Sequence, residues 1–221
     1  MILDVLELTL TPLIVPMDLV FGLFRSLIRS AGWSIVLLAL LMTVLAHPVR
    51  AWAQAVETRV RLRMQTVDAD IAATTVGMKG EKKFRAIEKI YKAHSYHPIH
   101  SVALGTPLFI MLPILLSALF LFGSNSTLDG VAFLAVRDLS LPDGLAWGVN
   151  LLPVIMTGIT LVDSAIRYRD DRNALIRFLI IALVMFVLVY GFASAIVVFW
   201  ITCNLVSMIS YLVRHPRAAL F

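Results

Sequence analysis

The stretch FLIIALVMFVLVYGFASAIVVFWITCNLVSMISYLV, Phe178 to Val213, decides the class of this protein. It carries no Asp, Glu, Lys or Arg. As one straight helix it would run about 54 Å, against a hydrocarbon core of about 30 Å. The segment is therefore expected to cross a bilayer twice, folding back at Tyr190-Gly191-Phe192-Ala193-Ser194. Gly191 would supply backbone freedom there, and the small residues would allow a tight reversal.

Working outward, the whole chain fits a lipid solvent. Of its 221 residues 60% are hydrophobic and only 15% charged, and the mean hydropathy is +0.89. A soluble domain is nearer half apolar and a quarter charged. Apolar runs of spanning length occur at about 32–52, 103–123, 146–164, 175–190 and 193–213. The expected fold class is thus an all-α membrane protein with five transmembrane helices. Residues 1–31 are apolar but broken by Pro12, Pro16, Asp4, Glu7, Asp18, Arg25 and Arg29. That pattern fits an N-terminal interfacial amphipathic helix. No basic start or small-residue cleavage site marks a removable leader, so this segment is read as part of the mature protein.

Residues 53–99 alternate charged and apolar positions, with Val56, Val60, Met64, Val67 and Ile71 before Gly77-Met78-Lys79-Gly80 and Phe84, Ile87, Ile90 and Tyr91 after it. Two amphipathic helices joined at the glycines, a helical hairpin outside the membrane, are expected. Charge sets the orientation. Of the nineteen Lys and Arg, only Arg25, Arg29 and Arg137 lie off the side that carries the hairpin, residues 164–177 and the tail 214–221. The positive-inside rule then makes the hairpin and C-terminus cytoplasmic and the N-terminus external. Basic residues confined to the flanks of apolar runs argue against nucleic-acid binding. The single Cys203 lies in an apolar run, which excludes a disulfide framework and a paired-cysteine metal site.

Several local strings stand in a telling order. The first span opens Gly32-Trp33 and closes at Pro48. The hairpin ends IYKAHSYHP (Ile90–Pro98), and the next span carries Pro107 and Pro113. LAVRDLSLPD (Leu134–Asp143) joins spans two and three, and the last span begins FASAIVVFWITCN (Phe192–Asn204). Over about residues 15–213 this arrangement resembles the YidC/Oxa/Alb family of membrane-protein insertases. The resemblance implies five helices around a hydrophilic groove that helps segments of other proteins enter the bilayer sideways. It also implies a bacterial inner-membrane location, no cofactor and no enzymatic step. The implied partners are newly made membrane proteins, the ribosome or translocon, and anionic lipids, with no nucleotide. The chain departs from the family pattern at Thr43, where many members place an arginine, at Met111 in place of a glutamine, and at His97-Pro98-Ile99-His100-Ser101 in place of Asn-Pro-x-Gly-Gly. These departures point to a specialised paralogue.

Thr43 and His47, four apart, would share a helix face and could line the groove. Alternatively Thr43 bonds back to its own helix and His47 rests at the interface beside Pro48. Thr157, Thr160, Trp200, Thr202 and Asn204 are further groove candidates, each open to the alternative of helix-packing contact. Pro107 and Pro113 are expected to bend their helix. Lys79, Lys82, Lys83, Arg85, Lys89 and Lys92 form the hairpin's basic contact surface, suited to anionic lipid or a nascent chain and ribosome. His94, His97 and His100 are spaced by three, but Pro98 interrupts them and no carboxylate or cysteine is close in sequence, so no metal site is expected. Asp163 is expected to pair with Arg167. No nucleophile–base constellation or phosphate loop is present. Two other classes are a structural or assembly subunit with its groove packed shut, and a small-solute transporter, which the lack of inverted repeats disfavours.

Overall fold

The computed structural model describes residues 2–94, 106–123, 125–169 and 172–215. Within them lie the helices α1 (Ile2–Ile28), α2 (Ala31–Leu45), α3 (His47–Thr74), α4 (Gly80–Ala93), α5 (Thr106–Gly123), α6 (Leu151–Arg167), α7 (Arg172–Val189) and α8 (Ser194–Arg214). Among the described residues the only extended pairing is two isolated bridges, Phe133 with Val136 and Ala146 with Val149. The helical membrane class expected from the sequence is what the chain adopts. It divides into two compact units, Met1–Leu45 with Pro113–Phe221, and Ala46–Leu112.

In the first unit α2 packs along α8, α6 against α7 and α8, and α1 against α2. The buried residues of α2 are Ala31, Gly32, Ser34, Ile35, Leu38, Ala39 and Thr43, a three-to-four spacing that puts them on one helix face. That face is poor in bulk, and close approach between membrane helices depends on small residues because lipid supplies no hydrophobic drive between them. The Cys203 thiol of α8 lies 3.9 Å from the Ala39 carbonyl of α2, so the lone cysteine is a packing residue. An aromatic chain fastens three helices. Phe21 of α1 meets Phe122 of α5 edge-on at 5.3 Å between ring centroids, and Phe122 meets Phe199 of α8 at 6.0 Å. On α7, Leu183, Val184, Val187 and Leu188 are exposed, as suits a helix facing lipid.

Among the described residues two helices are long and apolar enough to cross a membrane, Val5–Ile28 within α1 and Ser194–Arg214, or three if the broken pair Ala31–Leu45 and His47–Thr74 is one span; Met111–Gly123 and Phe178–Val189 are shorter apolar helices. The N-terminal segment is thus a longer and more continuous helix than the sequence reading drew. It runs through Pro12 and Pro16 and buries Leu10, Met17 and Phe21. The reversal between α7 and α8 falls at 190–193, as expected, but Gly191 is not among the left-handed glycines. The turn is closed by the Phe192 amide donating to Val189 and by contacts from another loop. In α5, Pro113 lies inside the helix. Pro107 occupies the first turn, where a missing N–H costs nothing, so of the two only Pro113 interrupts the hydrogen-bond ladder.

The second unit holds the hairpin. Helix α2 already ends at Leu45 and α3 begins at His47, so the long amphipathic helix starts earlier than residue 53, and the helix face proposed for Thr43 and His47 together is interrupted at Ala46. The turn between α3 and α4 uses Gly77 and Gly80 at φ 74° and 60°, a left-handed geometry that glycine adopts without steric cost. The Nε2 of His94 stands 2.7 Å from the Asp70 carboxylate and ties the two helices. His97 and His100 lie outside the described residues, so the histidine series is placed only at its first member.

Candidate functional site

The loop 125–150 organises one end of the first unit. Asp143 leaves the loop to accept the first free amides of α6, from Leu151 at 2.6 Å and Leu152 at 3.2 Å. This satisfies orphan donors that every helix start exposes. Asn150 donates its side-chain amide to the Tyr190 carbonyl at 2.7 Å, fixing the start of α6 to the end of α7. Helix α8 is seated the same way. The backbone N–H and the hydroxyl of Ser194 both donate to the Leu141 carbonyl, and the Ala195 amide donates to Leu139. Gly32 closes this end against the loop. A Cβ there would fall 2.0 Å from ring atoms of Phe133, which itself packs edge-on against Trp33. Three helix ends and a loop therefore form one hydrogen-bonded plug. The Asp138 carboxyl of the same loop is held below its ordinary value, chiefly by the Ser140 hydroxyl and then by the Ser140 amide.

Away from the plug, polar side chains run along the seam between α6 and α8. The Asn204 amide donates to the Thr160 hydroxyl at 3.0 Å. A turn further, Asp163 takes two 2.8 Å contacts from the Arg167 Nε. The same guanidinium donates to the Ser207 carbonyl and hydroxyl at 3.1 and 3.2 Å and lies 4.3 Å from the centre of the Tyr211 ring. The i,i+4 pair expected within α6 is present, but it is also a bridge to α8. Ser207 and Tyr211 escaped the sequence reading because their partner lies forty residues away. Their only signal is the three-to-four spacing Asn204, Ser207, Tyr211, one stripe of one helix.

The remaining candidates separate. Thr160 and Asn204 touch; Thr157 and Thr202 are half-buried and return their hydroxyls to the carbonyls of Pro153 and Val198 four residues back. Trp200 packs on the apolar cluster of Met156, Val189 and Val197. Thr43 is buried at 4% exposure, and its hydroxyl donates to Ala39 at 2.7 Å. His47 is half-buried in the first turn of α3. In the hairpin, Lys79, Lys82, Lys83, Arg85, Lys89 and Lys92 are all exposed. Arg85 and Lys92 pair with Glu81 and Glu88, and the Lys92 contact lowers the Glu88 carboxyl below its usual value. Exposed pairs of this kind add little stability, and the four other lysines meet no carboxylate among the described residues. Nor do the described residues contain a cluster of three metal-ligating side chains.

The 60Kd inner membrane protein family matches residues 11–218, nearly the whole chain. The chain belongs to this family. A membrane protein insertase YidC of Clostridium perfringens is 26% identical over 203 residues, covering 86% of this chain and 82% of that protein. The YidC of Chlamydia trachomatis is 26% identical over 214 residues but only 26% of its length is covered; for that of Polynucleobacter asymbioticus the figures are 24% over 188 residues and 32% of its length. Of the solved structures, an active YidC insertase with its first transmembrane domain resolved matches with a TM-score of 0.60 and 20% identity, over 90% of this chain and 45% of that one. The family's helical fold is therefore shared. The chain corresponds to nearly all of the clostridial relative and to about a quarter to a third of the others. Membership also makes it a multi-pass protein of a bacterial inner membrane.

Proposed function

We propose that this 60Kd-family member is a membrane-protein insertase, a non-enzymatic device that lowers the cost of moving segments of other proteins from water into lipid. The observation that carries this reading is the polar seam of Thr160, Asp163, Arg167, Asn204 and Ser207 in an otherwise apolar bundle, with the plug at its far end. An unpartnered backbone or charged group in hydrocarbon costs several kcal/mol. A seam whose hydrogen bonds can be exchanged with a passing segment offers temporary partners, and apolar side chains then leave sideways into lipid. The plug would stop the segment or water from crossing outright.

In this reading α2, α5, α6, α7 and α8 are the five spans and α1, though of spanning length, lies in the interface because its charges and prolines interrupt it; the plug is external, and the hairpin and C-terminus are cytoplasmic, as the charge asymmetry favours. Thr157, Trp200 and Thr202 flank the path. The exposed lysines of α4 meet anionic lipid, the ribosome or a translocon. Photocrosslinkers at Thr160 and Asn204 test the reading during synthesis of a small membrane protein. Adducts to the nascent chain from these positions, with none from lipid-facing Leu183, are expected. Equal labelling from all three, or none from the seam, sinks it.

A further inference from the structure

Helices α1 and α5 meet where Phe21 packs on Phe122, and beyond the end of α5 the Arg25 guanidinium donates to the Thr127 carbonyl at 3.1 Å. Between them lies an open cleft of about 600 Å³, within the range of sites that take single small ligands. Its walls are graded. Arg25, Asn125, Ser126 and Thr127 make one part polar, Phe120 and Leu121 line the α5 side of the rest, and Asp18 stands on the α1 side between Val15 and Leu19. Asp18 and Arg25 are seven residues apart, just under two turns, so they stand on one face of α1 about 10 Å apart along its axis.

Neither charge is consumed by the fold. Arg25 is half-buried and uses one of its five N–H donors on Thr127, and the planar fork that remains suits a phosphate. Asp18 has no partner among the described residues and is itself exposed. An unpaired carboxylate beside a helix of apolar composition is costly unless water or a cation reaches it. We propose that this cleft binds a zwitterionic phospholipid with a primary-amine headgroup, its phosphate on Arg25, its ammonium along α1 toward Asp18 and an acyl chain along Phe120 and Leu121 on the α5 wall. The two protein charges sum to zero, as do those of such a headgroup. An anionic phosphatidylglycerol would satisfy Arg25 but face Asp18 with no cation. A phosphatidylcholine has the positive charge and no N–H to donate.

The test is native mass spectrometry of the full chain, delipidated in detergent and titrated with phosphatidylethanolamine, phosphatidylglycerol and phosphatidylcholine. Phosphatidylethanolamine should be retained about tenfold better than phosphatidylglycerol, the ratio worth one charge-assisted contact. Asp18→Asn should abolish that preference while phosphate binding persists. Arg25→Gln should weaken retention of all three lipids, and so should Leu19→Trp, which narrows the cleft and alters neither charge. Should Arg25→Gln fail to fold, the other two variants carry the test. Equal retention of the lipids by the unaltered protein overturns the proposal, as does an unchanged preference in Asp18→Asn. A photoprobe at Val15 should label lipid in membranes; protein adducts alone would mean that a polypeptide segment occupies the cleft instead.

Discussion

The side-chain amide of Asn204 donates to the hydroxyl of Thr160 at 3.0 Å, joining α8 to α6. The Thr160 hydroxyl in turn donates a hydrogen bond to the Met156 carbonyl at 2.9 Å, so it accepts from one helix while donating to its own. Hydrogen bonds between membrane helices average only about 0.6 kcal/mol. That is weak enough for exchange with a client.

Asn204→Leu should therefore leave the protein folded, with a thermal midpoint lowered by no more than a few degrees, and reduce insertion of segments that carry polar residues more than of uniformly apolar ones. Comparing two reporters that differ in one mid-segment Asn checks this. Equal loss for both would make Asn204 a packing residue.

Breaking the charged bridge costs more. Arg167→Gln removes the partner of a carboxylate at 22% exposure, and loss of one member of a buried pair costs about 3–5 kcal/mol, less where water reaches it. The steady-state level in membranes should fall. Exchanging both members for leucine should recover part of the level, and a double variant as poor as the single one contradicts the assignment.

Thr43 is 4% exposed, one turn beyond Ala39, whose carbonyl lies by Cys203 of α8. Thr43→Val keeps the volume and loses one intrahelical bond, so it should be near neutral. Thr43→Arg places an unpaired charge among helices and should lower the level by several kcal/mol of stability. A healthy Arg variant with improved insertion of an acidic-tailed reporter would mean that α2 and α8 part at this depth during work. Its collapse beside a healthy Val variant would show that α2 stays packed at this position and that any client path runs along the α6–α8 seam instead.

The plug gives a pair of stability predictions. Gly32→Ala pushes a methyl into the Phe133 ring and should destabilise; a Gly32→Ala, Phe133→Leu double variant should regain part of the loss. Asp143→Ala frees two α6 amides, at about 0.5–2 kcal/mol by analogy with helix caps. Thermal unfolding in detergent measures both, and unchanged midpoints would show that the loop does not hold the helix ends.

Acid should loosen the same loop. The Asp138 carboxyl is depressed in the folded state, so its contribution is complete above the ordinary aspartate value and is lost as pH falls through the lower folded one. Proteolysis of the loop should accelerate only in acid below about pH 4, and Asp138→Asn should be susceptible already at neutral pH.

Sequence alone determined the solvent and the class, because a 36-residue run without a charge, Phe178 to Val213, is too apolar for water and too long for a single crossing. It also set the hairpin turn, since Gly77 and Gly80 take up a backbone geometry other residues avoid, and the Asp163–Arg167 pair, since four residues is one helical turn. These are local properties. Tertiary structure decided the rest. Whether Thr43 faces a cavity or Ala39, that Asn204 finds Thr160 and Arg167 finds Ser207, that Asp143 caps a helix eight residues on, and that Asp18 and Arg25 share a cleft with α5 all depend on which helix faces meet. Helix faces in lipid are chosen by close packing of small residues and by hydrogen bonds between segments distant in sequence, and a spacing within one helix does not name the helix it will meet.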